Sequence, residues 1–151
     1  MDIGLRPAIE SDFKFCRRVY FEQMTLTIET LKLNREGHAA GFQQQWIPTQ
    51  VQIITLDGSD IGWLQTIQRS DELFLAQFFV DGPFQRRGIG TNVLGRLIEE
   101  AARAGLPLRL GVVKSNPAVR LYQRLGFRMT DEDDRKFYMR RDHESLGRPN
   151  S

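Results

Sequence analysis

Apolar and polar positions change period several times along the chain, and each change marks an element. Residues 1–7 read as a short opening strand. Over residues 10–24 the apolar positions Phe13, Cys16, Val19 and Tyr20 recur at helical spacing, with Ser11 placed to cap the start. Residues 25–47 read as further helix with a break, ended by Pro48. Residues 50–56 predict a strand, Asp57-Gly58 a hairpin turn, and residues 61–68 the returning strand. The segment 73–80 is apolar on both faces and predicts a central strand covered on two sides. Val93, Leu94, Leu97, Ile98, Ala101 and Ala102 then form a broad apolar helical stripe that Gly105 and Pro107 stop. Residues 108–113 predict a strand, and 116–125 a short helix closed by Gly126. Residues 127–130 and 136–140 are the final strands, on either side of the acidic turn 131–134. The strand-helix-strand order over 73–113 argues for a parallel pair with a crossover inside an otherwise antiparallel sheet. The fold class expected is α/β, or mixed α+β.

Composition narrows the class. A chain of 151 residues, 40% hydrophobic and 26% charged, fits one globular domain with a sizeable core. We expect that domain over residues 1–141 and a solvated tail over 142–151. No apolar run approaches the roughly 20 residues that cross a bilayer, and the N-terminus lacks a signal-peptide layout. These features predict a cytoplasmic protein that does not engage membranes. The single cysteine, Cys16, fits a reducing compartment and reads as a small buried hydrophobe. The net charge of +2 comes from interspersed acids and bases, not from a basic tract, which argues against nucleic acid as a partner. Two histidines and one cysteine at unrelated spacings make no metal site.

One loop carries chemistry. Gln85-Arg86-Arg87-Gly88-Ile89-Gly90-Thr91 lies between the apolar strand and the first turn of a helix. Pyrophosphate binding needs that layout, because free N–H groups at a helix start converge on one point and the helix dipole favours negative charge. Gly88 and Gly90 let the backbone turn and approach phosphate oxygens. Arg86 and Arg87 add positive charge, and Thr91 adds a hydroxyl. A nucleoside-triphosphate loop would need a lysine before Thr91, and a dinucleotide fingerprint would need glycine in place of Val93. By itself the loop is also compatible with a plain strand-to-helix turn bearing surface arginines.

A second segment is Asn116-Pro117-Ala118-Val119-Arg120-Leu121-Tyr122-Gln123-Arg124-Leu125-Gly126-Phe127. Its structural reading is a helix capped by Asn116, begun by Pro117 and stopped by glycine. Together the two segments resemble the cofactor motifs of the GNAT acetyltransferase superfamily, in residue types and in spacing. The resemblance is strong over about residues 51–140 and holds only in outline for the N-terminal helices. It implies a mixed, mostly antiparallel sheet flanked by helices, with a parallel strand pair splayed at a cofactor slot. It further implies acetyl-CoA as acetyl donor and a primary amine as acceptor. The backbone of Phe78, Phe79 and Val80 would pair with pantetheine, and the loop with Gln85 and the N–H groups of Arg86, Arg87, Gly88, Ile89, Gly90 and Thr91 would hold the pyrophosphate. Asn116 would meet the pantetheine or acetyl end, and Tyr122 would be the general acid. The last role has an independent rationale, since a phenol with pKa near 10 stays protonated at neutral pH and can donate to a departing thiolate.

The acceptor side is less constrained. An ammonium must lose a proton before it attacks, and Glu29, Glu72, Asp81 and His38 are candidate bases. Glu29 is preferred because it is read into the break between helical stretches, with Tyr20, Phe21 and Trp46 as candidate lining. His38 reads as a surface residue. A small-molecule amine is the expected acceptor. The alternatives are a protein amine and a catalytically silent acyl-CoA-binding module. A homodimer is compatible with the resemblance, although no patch marks an interface.

Overall fold

The computed structural model describes residues 1–30 and 32–142. The strands are β1 (Ile3–Pro7), β2 (Val51–Leu56), β3 (Ser59–Gln68), β4 (Leu73–Val80), β5 (Leu108–Val113), β6 (Arg128–Glu132) and β7 (Lys136–Arg141). The α-helices are α1 (Phe13–Thr30), α2 (Arg35–Gln45), α3 (Ile89–Arg103) and α4 (Ala118–Arg124). The strands form one seven-stranded sheet in the order β1-β2-β3-β4-β5-β7-β6. The expected mixed, mostly antiparallel architecture with one parallel pair, β4 with β5, is therefore present.

The chain divides into two compact units. One comprises Met1–Gln65 with Gln77–Gly90, and the other Thr66–Ala76 with the described residues from Thr91 onward. In the first unit β1, β2 and β3 pair in antiparallel register, and Asp57 (φ 50°) and Gly58 (φ 89°) make the turn between β2 and β3. Two successive left-handed residues match the strand twist, as Asp-Gly predicts. An aromatic cluster covers this sheet. Phe42 lies 4.8 Å from Tyr20 and 5.8 Å from Trp63, and Phe79 lies 5.4 Å from Trp63 and 5.5 Å from Tyr20. Cys16 is fully buried in the same cluster, and burial pushes its thiol pKa up to about 12. That suits an inert packing residue.

One feature of this unit differs from the sequence reading. Ser11 does not cap the first helix. Instead Asp12 accepts the Ile9 N–H at 2.9 Å and pairs with Arg6, so a short 3₁₀ turn, Glu10–Asp12, precedes α1. Helix continues past Met24 to Thr30, as expected of further helix with a break over residues 25–47, and Ile28 takes a buried place in the aromatic cluster. After the interruption, Asn34 accepts the Gly37 N–H at 3.1 Å and starts α2.

In the second unit α3 buries Val93, Leu94, Leu97 and Ala101. Gly105 (φ 70°) stops α3 as expected, with Leu106 N–H donating to the Ala101 carbonyl. The β5–β7–β6 segment is antiparallel, and β6 runs to Glu132, two residues beyond the sequence estimate. Asp133 then makes the turn by accepting the N–H groups of Arg135 and Lys136. At the C-terminal end Asp142 pairs with Arg128 and Arg140, and the rest of the expected tail, 143–151, lies outside the described residues. Among the described residues no helix is long and apolar enough to cross a membrane.

Candidate functional site

Within the first unit, β4 leads into the glycine loop through a series of fixed contacts. Asp81 N–H donates to the Ile61 carbonyl at 2.7 Å, its carboxylate accepts the Gly82 N–H at 3.0 Å, and a 3₁₀ turn follows at Gly82–Phe84. Gln85 Nε2 donates to the Val80 carbonyl and to Gln23 Oε1, both at 2.8 Å. The Gln85 side chain therefore anchors the start of the loop.

Beyond it the backbone alternates in a way suited to anions. Arg86 (φ 64°) and Gly88 (φ 78°) both occupy the left-handed region. For a non-glycine residue such as Arg86 this costs on the order of 1–2 kcal/mol, so the conformation has to be held by its surroundings. Ile89, 1% exposed, plugs the loop into the core from the next position. Gln85 (φ −72°, ψ 159°) and Arg86 form a tight turn that aims the Arg87 N–H back at Phe84, while among the described residues the N–H groups of Arg86 and Gly88 have no hydrogen-bond partner and those opening α3 lack one by geometry. The first turn of α3 contains no acidic residue to neutralise them. Arg86 and Arg87 are exposed, with the Arg87 guanidinium 5.4 Å over the Phe84 ring. A concave set of donors at a helix start, flanked by arginines, fits a pyrophosphate.

Phe78, Phe79 and Val80 are half-buried rather than fully covered. The parallel register of β4 with β5 runs only over Leu73–Leu75 and Leu108–Leu110, so residues 76–80 lie outside that ladder. Sequence reasoning overlooked Gly62. A Cβ there would lie 2.3 Å from the Phe79 carbonyl oxygen and 3.1 Å from the Val80 Cα. Only glycine allows so close an approach to the end of β4. A glycine within a strand is itself the signal that could have been read.

In the second unit, Asn116 Oδ1 accepts the Ala118 N–H at 2.9 Å and its carbonyl accepts the Val119 N–H at 3.2 Å. The predicted capping role is present one step displaced, since α4 proper begins at Ala118. Thr91, at the start of α3, is exposed. Tyr122 is 6% exposed and packs edge-on against Phe127, with ring centroids 5.7 Å apart. Burial pushes its pKa up to about 12. Its hydroxyl has no hydrogen-bond partner among the described residues, yet it is not one of the fully enclosed unsatisfied polar atoms, which are the Trp46 and Trp63 indole nitrogens. The phenol is thus an apolar plug with a polar tip that reaches solvent.

The candidate bases separate by their partners. Glu72 pairs with Arg69 and Arg109, Asp81 pairs with Arg18 at 3.1 Å, and His38 Nδ1 shares a 3.2 Å hydrogen bond with the Tyr20 hydroxyl. His38 is half-buried, so the reading of it as a surface residue is corrected. Glu29 is exposed in the last turn of α1, not in the interruption after it. Alone of the four, its carboxylate has no partner among the described residues.

A family model described as "Acetyltransferase (GNAT) family" matches residues 16–127. The chain belongs to the GNAT acetyltransferase family. An uncharacterised N-acetyltransferase of Methanocaldococcus jannaschii is 35% identical to it over 71 residues, which is 45% of this chain and 31% of that relative. The match thus spans about a third of the relative's length. Among solved structures, the PaiA N-acetyltransferase of Thermoplasma acidophilum, in complex with coenzyme A, superposes with a TM-score of 0.77 at 17% identity, over 94% of this chain and 99% of that one. The ribosomal-protein-S18-alanine N-acetyltransferase of Escherichia coli superposes with a TM-score of 0.66 at 21% identity, over 99% of both chains. These likenesses show that the GNAT member described here also has the GNAT fold.

Proposed function

We propose that this GNAT protein transfers an acetyl group from acetyl-CoA to a primary amine on a small molecule. The observation that carries the reading is the loop after β4, where unpartnered N–H groups at Arg86 and Gly88 precede a helix start free of acidic residues. In this reading those N–H groups, with those of Ile89, Gly90 and Thr91, hold the pyrophosphate, and Gln85 fixes the loop. Residues Phe78, Phe79 and Val80, outside the parallel ladder, offer backbone groups to the pantetheine arm. Asn116, whose amide oxygen is committed to capping, keeps its amide nitrogen for the pantetheine or acetyl end.

Acetyl-CoA supplies an activated thioester carbon, and the chain supplies position and proton management. Tyr122 serves as general acid toward the departing sulfur. Its pKa of about 12 keeps the proton on the phenol throughout the neutral range. The same burial makes the phenol a reluctant donor in the ground state, so donation gains force only as negative charge develops on sulfur. Glu29 accepts the ammonium proton, directly or through water. Its open carboxylate supports that role, whereas Glu72 and Asp81 are engaged by arginines.

The test is incubation with acetyl-CoA and a pooled amine library, following free thiol and acetylated products by mass spectrometry. Amine-dependent thiol release supports the proposal. Tight binding of CoA without thiol release for any acceptor would favour a silent acyl-CoA-binding module, and product found only on peptide amines would favour a protein acceptor.

A further inference from the structure

Along α1 and the start of α2, within the first unit, lies an open cavity of about 300 Å³ lined by Arg17, Arg18, Phe21, Glu22, Thr25 and Arg35. Its three arginines are not equivalent. Arg18 is satisfied by Glu22 at 3.0 Å and by Asp81 at 3.1 Å. Arg17 and Arg35 have no carboxylate partner among the described residues. Instead both guanidinium groups lie over one ring, with their central carbons 5.3 and 4.7 Å from the centroid of Phe21. Phe21 is itself 7% exposed, so the ring is a fixed platform. Stacking on an aromatic orients a guanidinium plane and leaves its N–H edge free to meet a carboxylate or phosphate. Two such groups at one ring repel each other, and an anion placed between them would offset that repulsion.

The cavity is tied to the end of β4 by contacts inside the same unit. Arg18 bonds to Asp81, the residue after Val80. Phe21 packs against Tyr20 at 5.0 Å, and Tyr20 against Phe79 at 5.5 Å. The anion site is thus one ring away from the backbone assigned above to the pantetheine arm.

From this geometry we infer that the acceptor is an anionic amine, whose carboxylate or phosphate is held by Arg17 and Arg35 in the Phe21 cavity. The inference rests on the acetyl-transfer reading and narrows its substrate class. It sets this protein against polycationic acceptors, which the two free guanidinium groups repel.

Two measurements test it. The first compares initial rates with glutamate and phosphoethanolamine, as carboxylate and phosphate sources, against glutamine amide and spermidine. The anionic amines should be favoured at least tenfold in kcat/KM, and Arg17→Gln and Arg35→Gln should each erase about tenfold of that preference while leaving KM for acetyl-CoA unchanged. Arg35→Lys should restore only part of it, because a lysine neither stacks nor forks. Preference for spermidine or the amide, or an unaltered preference in the variants, overturns the inference while leaving acetyl transfer intact. The second is titration of the unreacted protein with glutarate, a dicarboxylate without an amine, followed by NMR shifts of residues around Phe21. Saturable shifts that vanish in the Arg17→Gln/Arg35→Gln protein support the site even where no acetyl transfer is found. Absence of binding to the wild type overturns it.

Discussion

Replacing Gly62 by alanine adds one methyl group, and the structure dictates an outcome out of proportion to that change. The new Cβ would lie 2.3 Å from the Phe79 carbonyl oxygen, a backbone atom that cannot swing aside. Relief requires β3 or the end of β4 to move by about 1 Å, and overpacking of this kind costs about 1–3 kcal/mol. For a chain of this length that corresponds to a fall in Tm of roughly 4–8 °C at the middle of the range. The functional effect should be larger than the thermal one, because the displaced residues, Phe79 and Val80, are those proposed to pair with pantetheine. A misplacement near 1 Å can cost about 10²-fold in rate. Thermal denaturation followed by circular dichroism, together with KM for acetyl-CoA, gives both readouts. Gly41→Ala is the control, since a Cβ there meets nothing within 4 Å in the helix α2. It should raise stability by about 0.5–1 kcal/mol through helix propensity and leave KM untouched. A Gly62→Ala protein with wild-type Tm and KM would refute the reasoning that the close approach positions β4.

Further outcomes follow from individual groups. Tyr122→Phe should lower kcat by about 10²-fold or more with little change in KM for acetyl-CoA, and steady-state kinetics on both substrates check this. Because the phenol's pKa lies near 12, wild-type kcat should show no loss of the acid form between pH 7 and about pH 10. Glu29→Gln should lower kcat/KM for the amine most at low pH and recover toward wild type as the amine deprotonates in solution, as a pH–rate profile would show. Asp12, held below the ordinary carboxylate range mainly by Arg6, contributes stability that is fully present above about pH 4. That contribution is lost as pH falls through its folded-state value. Asp12→Asn should therefore lower stability by about 1–2 kcal/mol at pH 7 and flatten the acid limb, as urea unfolding at pH 7 and pH 3 would show.

Much of the frame was readable from local pattern. The strand Leu73–Val80 and the strand Leu108–Val113 match their sequence boundaries because polar or turn residues flank mainly apolar runs, interrupted only by Gln77 and Arg109. The Asp57-Gly58 turn and the Gly105 helix stop follow from left-handed backbone that only a few residue types tolerate. The glycine loop was legible for the same reason, although nothing local required Arg86 to share the left-handed conformation of Gly88. What escaped the sequence is non-local. The length of α1 depends on where Ile28 packs, and the first cap depends on Asp12 being held by Arg6 from another element. Glu29 was read into the break between the two helical stretches, whereas the burial of Ile28 carries α1 on to Thr30 and leaves Glu29 in its last turn. The pairing of Arg17 and Arg35 over Phe21 joins residues of two helices, and no periodicity announces it.

The central claim is that the turn at Arg86–Gly88 grips the pyrophosphate of acetyl-CoA, and its most direct test is calorimetric titration of acetyl-CoA into the wild type and into Gly88→Val. At φ 78° a β-branched residue is strongly disfavoured, while a Cβ at this position meets nothing within 4 Å, so the damage should be confined to the loop backbone. The account predicts saturable one-to-one binding to the wild type and at least about tenfold weaker binding to the variant, equivalent to 1.4 kcal/mol or more, with the fold retained. Equal affinity in the two proteins, or no binding to the wild type, would contradict it.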